Sequence, residues 1–209
     1  FSKLLVASAV GLAGFPSASL AEGLYLTGSV GTANYEALDL STDESPISYE
    51  FNPEAGINYD LGFGYDFGNT IRVEATWEYS ESHDVKAKVN IEGFSDGGTV
   101  PLDTNSSTYL ATVYKDFETE SKLTPFVGVS IGTSTFEFNE EEFIPDFEVD
   151  SFVYGAQAGV SYQVSEKLDV LGKLSYLMHN PDDQSIEGER INTDGLDMLS
   201  AKLGMRFSF

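Results

Sequence analysis

The stretch Leu199-Ser200-Ala201-Lys202-Leu203-Gly204-Met205-Arg206-Phe207-Ser208-Phe209 separates into two faces when read in steps of two. Leu199, Ala201, Leu203, Met205, Phe207 and Phe209 fall on one, and Ser200, Lys202, Gly204, Arg206 and Ser208 on the other. Side chains alternate across a β-strand, so this is a strand with one apolar face and one face carrying cations. A water-soluble sheet turns such an apolar face inward. A chain that stops on that face at an aromatic residue also fits a strand whose outer side meets lipid, and the preceding segments decide between the two.

Working back from this strand, segments of similar length and pattern recur. Ala55, Ile57, Tyr59, Leu61, Phe63, Tyr65 and Phe67 oppose Gly56, Asn58, Asp60, Gly62, Gly64 and Asp66. Ile71, Val73, Ala75, Trp77 and Tyr79 oppose Arg72, Glu74, Thr76, Glu78 and Ser80. The same alternation sets Val127, Val129 and Ile131 against Phe126, Gly128, Ser130 and Gly132. It sets Phe152 through Val164 against Gly155, Gln157, Gly159, Ser161 and Gln163, and Leu168, Val170, Leu174, Tyr176 and Met178 against Asp169, Lys173 and Ser175. Two segments read less cleanly: small residues blur 24–35, and in 108–117 Ala111 and Val113 compete with Leu110, Thr112 and Tyr114 for the apolar face. Their register is left open. Eight strands in all predict an even-numbered antiparallel barrel.

The connections sort by length. Gly68-Asn69, Glu118 to Lys122 and Ser165 to Lys167 are tight, whereas Glu36 to Glu54, Glu81 to Asn105, Glu137 to Asp150 and His179 to Asp197 are long. Short and long alternate strictly, as expected of a barrel with short turns on one side of a membrane and long loops on the other. Aromatics gather at both levels: Phe67, Phe117, Tyr162, Phe207 and Phe209 near the turns, and Tyr35, Trp77, Tyr79, Phe136, Phe152 and Tyr176 towards the loops, where two interfacial girdles would lie.

Composition agrees. In 209 residues, Gly 20, Tyr 11 and Phe 15 favour β-structure, and Cys 0 removes disulfides, thiolate chemistry and a lipidated cysteine. A formal net charge of -23 repels nucleic acid and leaves divalent cations or basic ligands as the plausible polar partners. Residues 1–21 carry Lys3, an apolar run too short to span a bilayer and a small-residue site ending at Ala21. They predict a cleaved signal peptide, with residues 22–209 forming the barrel domain.

The terminal strand through Phe209, the pair of segments from Ala156 to Tyr162 and Leu171 to Tyr176, and Thr124-Pro125-Phe126-Val127-Gly128 resemble the opacity-type and outer-membrane-protein-A-like family of small outer-membrane barrels. The resemblance implies an all-β, eight-stranded up-and-down transmembrane barrel in the bacterial outer membrane, without the peptidoglycan-binding domain some members carry. It also implies that Leu203, Met205, Phe207 and Phe209 are read by the barrel-assembly machinery, and that the barrel contacts the bilayer and lipopolysaccharide.

The predicted inner face collects Asp60, Asp66, Arg72, Glu74, Glu78, Asp169, Lys173, Lys202 and Arg206. Eight strands enclose just enough room for side chains, so these residues are expected to form a polar plug, with a low-conductance channel as the alternative. The long loops carry the acid, and Glu140, Glu141, Glu142, Asp182 and Asp183 are weak candidates for a hard cation such as Ca²⁺. No spaced calcium-loop motif accompanies them, and no cofactor is implied.

Two other functions fit the pattern less well. A lipid A-modifying enzyme needs a His near the rim with a hydroxyl nucleophile; His179 is followed by Pro181 where a deacylase pattern has Ser, Ser185 lies in a loop, and His83 sits at another strand's outer end. The expectation is therefore no enzyme. A secreted lipocalin-like binder would need the apolar faces turned inward. The expected role is that of a surface protein presenting acidic loops.

Overall fold

The computed structural model describes residues 23–35, 38–41, 47–53, 55–91, 94–139, 147–181, 185–186, 189–190, 192–193 and 196–209, with side chains placed for 23–35, 55–81, 105–137, 150–180 and 197–209. Eight strands build a closed antiparallel barrel: β1 (Leu24–Tyr35), β2 (Gly56–Asp66), β3 (Ile71–Ile91), β4 (Phe94–Asp116), β5 (Leu123–Asn139), β6 (Phe147–Ser165), β7 (Leu168–Pro181) and β8 (Leu196–Ser208). Each pairs with the next, and β8 returns to β1, Tyr25 facing Ser208 and Tyr35 facing Met198.

The stagger of the barrel follows from the pairing. Tyr25 faces Gly64, which faces Glu74, then Thr112, Ser130, Gly155, Leu177, Met198 and finally Tyr35. The circuit re-enters β1 ten residues above its start. With strands about 4.8 Å apart and about 3.3 Å per residue, that stagger tilts them by about 40°. A neighbour in pairing is thus not a neighbour in height, and residues meeting inside come from strands well separated in sequence.

Register within each strand obeys lipid. Ile57, Leu61 and Phe63 on β2, Val129 and Ile131 on β5, and Leu203 and Met205 on β8 are all more than half exposed, while their odd-even neighbours are turned inside. The two open segments resolve. In β1 the odd residues from Tyr25 to Tyr35 point inward; in β4 Leu110, Thr112, Tyr114 and Asp116 do, leaving Ala111 and Val113 outside.

The long connections differ from expectation. β3 and β4 stay paired up to Ile91 and Phe94, with one bulge between Ser82 and Asp84. Leu38–Ser41 and Ile47–Pro53 extend β1 and β2 in unchanged register: Ile57 faces Glu81, and Pro53 faces Val85. Much of what reads as loop is therefore strand. The hydrophobic alternation stops where the outer face leaves lipid for water, but the backbone ladder has no reason to stop there.

Two of the expected girdle residues belong inside. Tyr35 shares the inward parity of Tyr25 and shares a hydrogen bond between its hydroxyl and Ser106 Oγ at 3.1 Å, and Phe136, 4% exposed, shares the parity of Phe126 and packs edge-on against Tyr35. The outer belt is instead formed by Tyr59, Trp77 and Tyr79, in mutual ring contact at 5.2–6.2 Å, with Tyr109, Phe152, Tyr154 and Tyr176. Phe67, Phe117, Tyr162, Phe207 and Phe209 form the belt at the turns.

Inner-face glycine is required where rings cross the lumen. A Cβ on Gly64 would lie 2.1 Å from Cζ of Tyr25. Gly64→Ala is accordingly expected to lower barrel stability by about 1–3 kcal/mol, as overpacking does, read as an earlier urea midpoint of the refolded protein.

Candidate functional site

Among the described residues, charged and polar side chains concentrate in the lumen, which is layered along the axis. At the turn end, Arg72 on β3 makes a two-pronged ion pair with Asp116 on β4, Nε to Oδ2 at 2.6 Å and Nη2 to Oδ1 at 2.8 Å. Its guanidinium is also enclosed by the rings of Tyr25, Tyr114 and Phe126, 4.6–5.5 Å from the ring centres, and donates to the Tyr25 hydroxyl at 3.3 Å. Planar, weakly hydrated arginine tolerates this setting where lysine would not. Beside it Arg206 pairs with Asp169 at 2.6 Å and lies 5.7 Å from the centre of the Tyr25 ring.

Higher in the barrel runs a chain of alternating charge. Lys173 donates to Asp60 at 2.9 Å, Lys202 reaches the same carboxylate oxygen at 2.8 Å and Glu78 at 2.7 Å, and Asn58 donates to Glu78 at 2.9 Å. All four charged side chains are 7% exposed or less. Burying ions without partners costs several kcal/mol each, so β2, β3, β7 and β8 are tied together by a set that is stable only when complete. Glu74 sits just below and accepts from Thr76 at 3.0 Å.

The opposite wall is neutral. Thr112 and Ser130 hydroxyls lie 2.8 Å apart, Gln157 donates to Ser130 and accepts from Tyr114, both at 2.9 Å, and Thr108 meets Ser134 at 2.8 Å. The space left among Thr27, Ser29, Asp60, Glu74 and Lys173 is a cavity of about 20 Å³, which is roughly the room one water needs.

Above the charges the lumen turns apolar. Ala33, Leu110, Val153, Leu177 and Met198, none more than 4% exposed, close together, with Tyr35 packed on them. Over that lies the Tyr35, Phe136 and His179 group, the His179 ring 5.2 Å from Phe136. The barrel is thus filled by ion pairs below and capped by hydrocarbon above.

Of the residues expected in the lumen, Asp60, Arg72, Glu74, Glu78, Lys173 and Lys202 are buried in it, and Asp169 and Arg206 lie at its turn end. Asp66 does not join them: its carboxylate accepts from Gly68 N at 2.8 Å and shapes the β2–β3 turn. Asn58 lies inside, as its parity with Asp60 implies, whereas Asp116, Tyr25, Tyr114 and the apolar cap are not evident from the alternation. Leu203, Met205, Phe207 and Phe209 line the outer face of β8, 43–70% exposed. His179 is not a loop residue but an inward one, 2% exposed, near the outer end of β7. Its parity with Lys173 and Ser175 signals this. The side chain of His83, and Glu140, Glu141, Glu142, Asp182 and Asp183, lie outside the described residues. Among the described residues, no three acidic or histidine side chains converge to hold a metal.

A family profile described as "Outer membrane protein beta-barrel domain" matches residues 3–207. The chain belongs to this outer-membrane β-barrel family. Among curated relatives, the outer membrane protein PagN of Salmonella typhimurium is 22% identical over 182 residues, covering 77% of this chain and 76% of its own. A Brucella abortus protein is 24% identical over 202 residues, with 77% and 71% covered. Among solved structures, Neisserial surface protein A superposes with a TM-score of 0.60 at 17% identity, covering 90% of this chain and 97% of that one. OprG of Pseudomonas aeruginosa gives 0.55 at 16%, with 90% and 96% covered. This outer-membrane barrel resides in the bilayer of the bacterial outer membrane, and the secreted lipocalin-like reading is overturned: its exterior is apolar and its lumen ionic.

Proposed function

We propose that this barrel is a non-catalytic surface protein, a rigid, filled support that holds acidic segments at the outer face of the membrane, contributing to envelope integrity or surface contact. The observation that carries the reading is the continuation of the strand pairs past the outer aromatic belt, interrupted in the β3–β4 pair by only the bulge between Ser82 and Asp84, over a lumen already occupied by its own side chains. A barrel whose interior is filled has its outer segments as its accessible chemistry. Those segments are rich in Asp and Glu, and suit divalent cations or basic ligands, with lipopolysaccharide beside them. Leu203, Met205, Phe207 and Phe209 on the outer face of β8 are the residues we assign to recognition by the insertion machinery.

Cells producing the protein are expected to bind poly-lysine-coated beads several-fold better than isogenic cells lacking it, by charge attraction that weakens with salt. Replacing Glu140, Glu141 and Glu142 together by Gln should remove a large part of that gain while heat-modifiable electrophoretic mobility stays unchanged. Equal binding by producing and non-producing cells, or no loss in the variant, would remove the surface-contact reading.

A further inference from the structure

Between the two aromatic belts the outer wall is apolar with one exception: among the described residues, Lys115 on β4 is the only charged side chain pointing outward there. It stands between Ile71 and Val127 on the neighbouring strands, close to the turn end and thus to the periplasmic leaflet, and its ammonium is held by the Thr70 hydroxyl in the β2–β3 turn. A cation on the lipid face of a barrel costs up to about 2–4 kcal/mol at mid-membrane and little near the interface, where it reaches towards headgroups.

Beside Lys115 begins a groove of about 610 Å³. It runs between two cross-strand rows, one through Lys115, Val127, Ala158 and Leu174, the other through Val113, Val129, Ala156, Tyr176 and Leu199. The alanines of β6 form its floor, and the larger residues of β7 and β8 its upper end. Four strand intervals make it about 20 Å long, and at the barrel's tilt it rises through roughly one leaflet of a ~30 Å hydrocarbon core.

We propose that this groove seats an acyl chain of an anionic glycerophospholipid of the periplasmic leaflet, with the lipid phosphate on the Lys115 ammonium. An apolar channel of leaflet length that starts at a single cation matches a molecule with one anionic head and a long hydrocarbon tail. A charge-assisted bond from the ammonium to phosphate then offsets the cost of placing Lys115 in the wall. A zwitterionic head carries the same phosphate but brings its own cation up to the Lys115 ammonium, which weakens the pairing, and a free anion has no tail for the groove.

The test is native mass spectrometry of the refolded barrel in detergent, incubated with palmitoyl-oleoyl phosphatidylglycerol or the corresponding phosphatidylcholine. One phosphatidylglycerol should be retained about tenfold better than phosphatidylcholine, a preference worth about 1.4 kcal/mol. Lys115→Gln should bring the two lipids level and Lys115→Arg should keep the preference. Ala156→Leu with Ala158→Leu should lower retention of both, and Lys122→Gln in a turn should change nothing. Heat-modifiable mobility reports folding of every variant. Unchanged preference in Lys115→Gln, unchanged retention with the groove filled, or displacement of the lipid by millimolar inorganic phosphate alone would each overturn the proposal.

Discussion

Asp60→Asn is expected to destabilise the barrel by about 3–5 kcal/mol, the cost of leaving a buried ion without its partner. Asp60 is 1% exposed and serves two ammonium groups at once, Lys173 at 2.9 Å and Lys202 at 2.8 Å. Neutralising it leaves Lys202 its bond to Glu78 at 2.7 Å but strips Lys173 of the carboxylate it binds. The reverse substitution is not equivalent. With Lys173→Met, Asp60 keeps Lys202, so the loss should be clearly smaller, and combining Asp60→Asn with Lys173→Met should recover part of the single-variant loss, because both members of one pair are then neutral.

Urea unfolding of the refolded protein can follow this through Trp77, the single tryptophan, whose neighbour in sequence is Glu78. The expected order of stability is wild type, then Lys173→Met, then the double variant, with Asp60→Asn lowest. A loss below about 1 kcal/mol for Asp60→Asn is the size seen for solvated surface pairs. It would mean that water already screens these charges, and that the lumen is wet rather than filled. The measurement therefore bears on function as well as stability.

How much of this could be read from the chain depended on which solvent each face meets. The lipid face was legible almost everywhere, because an outward residue in the membrane has to be apolar, and strands such as 55–67 state that rule residue by residue. Once the outward parity was known, most lumen charges followed from it, which is why Asp60, Glu78, Lys173 and Lys202 were legible as a set. Strand β4 resisted for a definite reason: its inward Leu110 and Tyr114 are as apolar as its outward Ala111 and Val113. Tyr114 points inward because it encloses Arg72 and bonds Gln157, contacts that come from two other strands. Asp116 was lost with that register.

The apolar cap had no signature of its own. Ala33, Leu110, Val153, Leu177 and Met198 come one each from five strands, and only the ten-residue stagger brings them to one level. The outer ends of the strands read as loops in the sequence because alternation is a signal of two different environments, and both faces there meet water. Composition and height alone put Tyr35 and Phe136 in the girdle, but parity governs: they lie above the cap, inside.

The filled lumen makes its strongest prediction in a planar bilayer: the wild-type protein should show no resolved conductance steps. An ion entering from outside passes the Tyr35, Phe136 and His179 group and then meets the hydrocarbon of Leu177 and Met198, each no more than 1% exposed, and a constriction of that kind excludes ions by excluding their water. Below it, a cavity of about 20 Å³ admits no hydrated ion, and the Lys202 bridge to Glu78 and Asp60 crosses the path. These barriers are in series, so opening either alone should not suffice. Leu177→Ala with Met198→Ala should remain silent. Adding Glu78→Gln and Lys202→Met, which removes one charge of each sign from the path, should give brief openings. Steady steps from the wild type would establish the low-conductance channel and require the cap and the ion-pair chain to move apart in the membrane. Steps from the cap variant alone would assign the whole barrier to hydrocarbon and leave the charges a purely structural part.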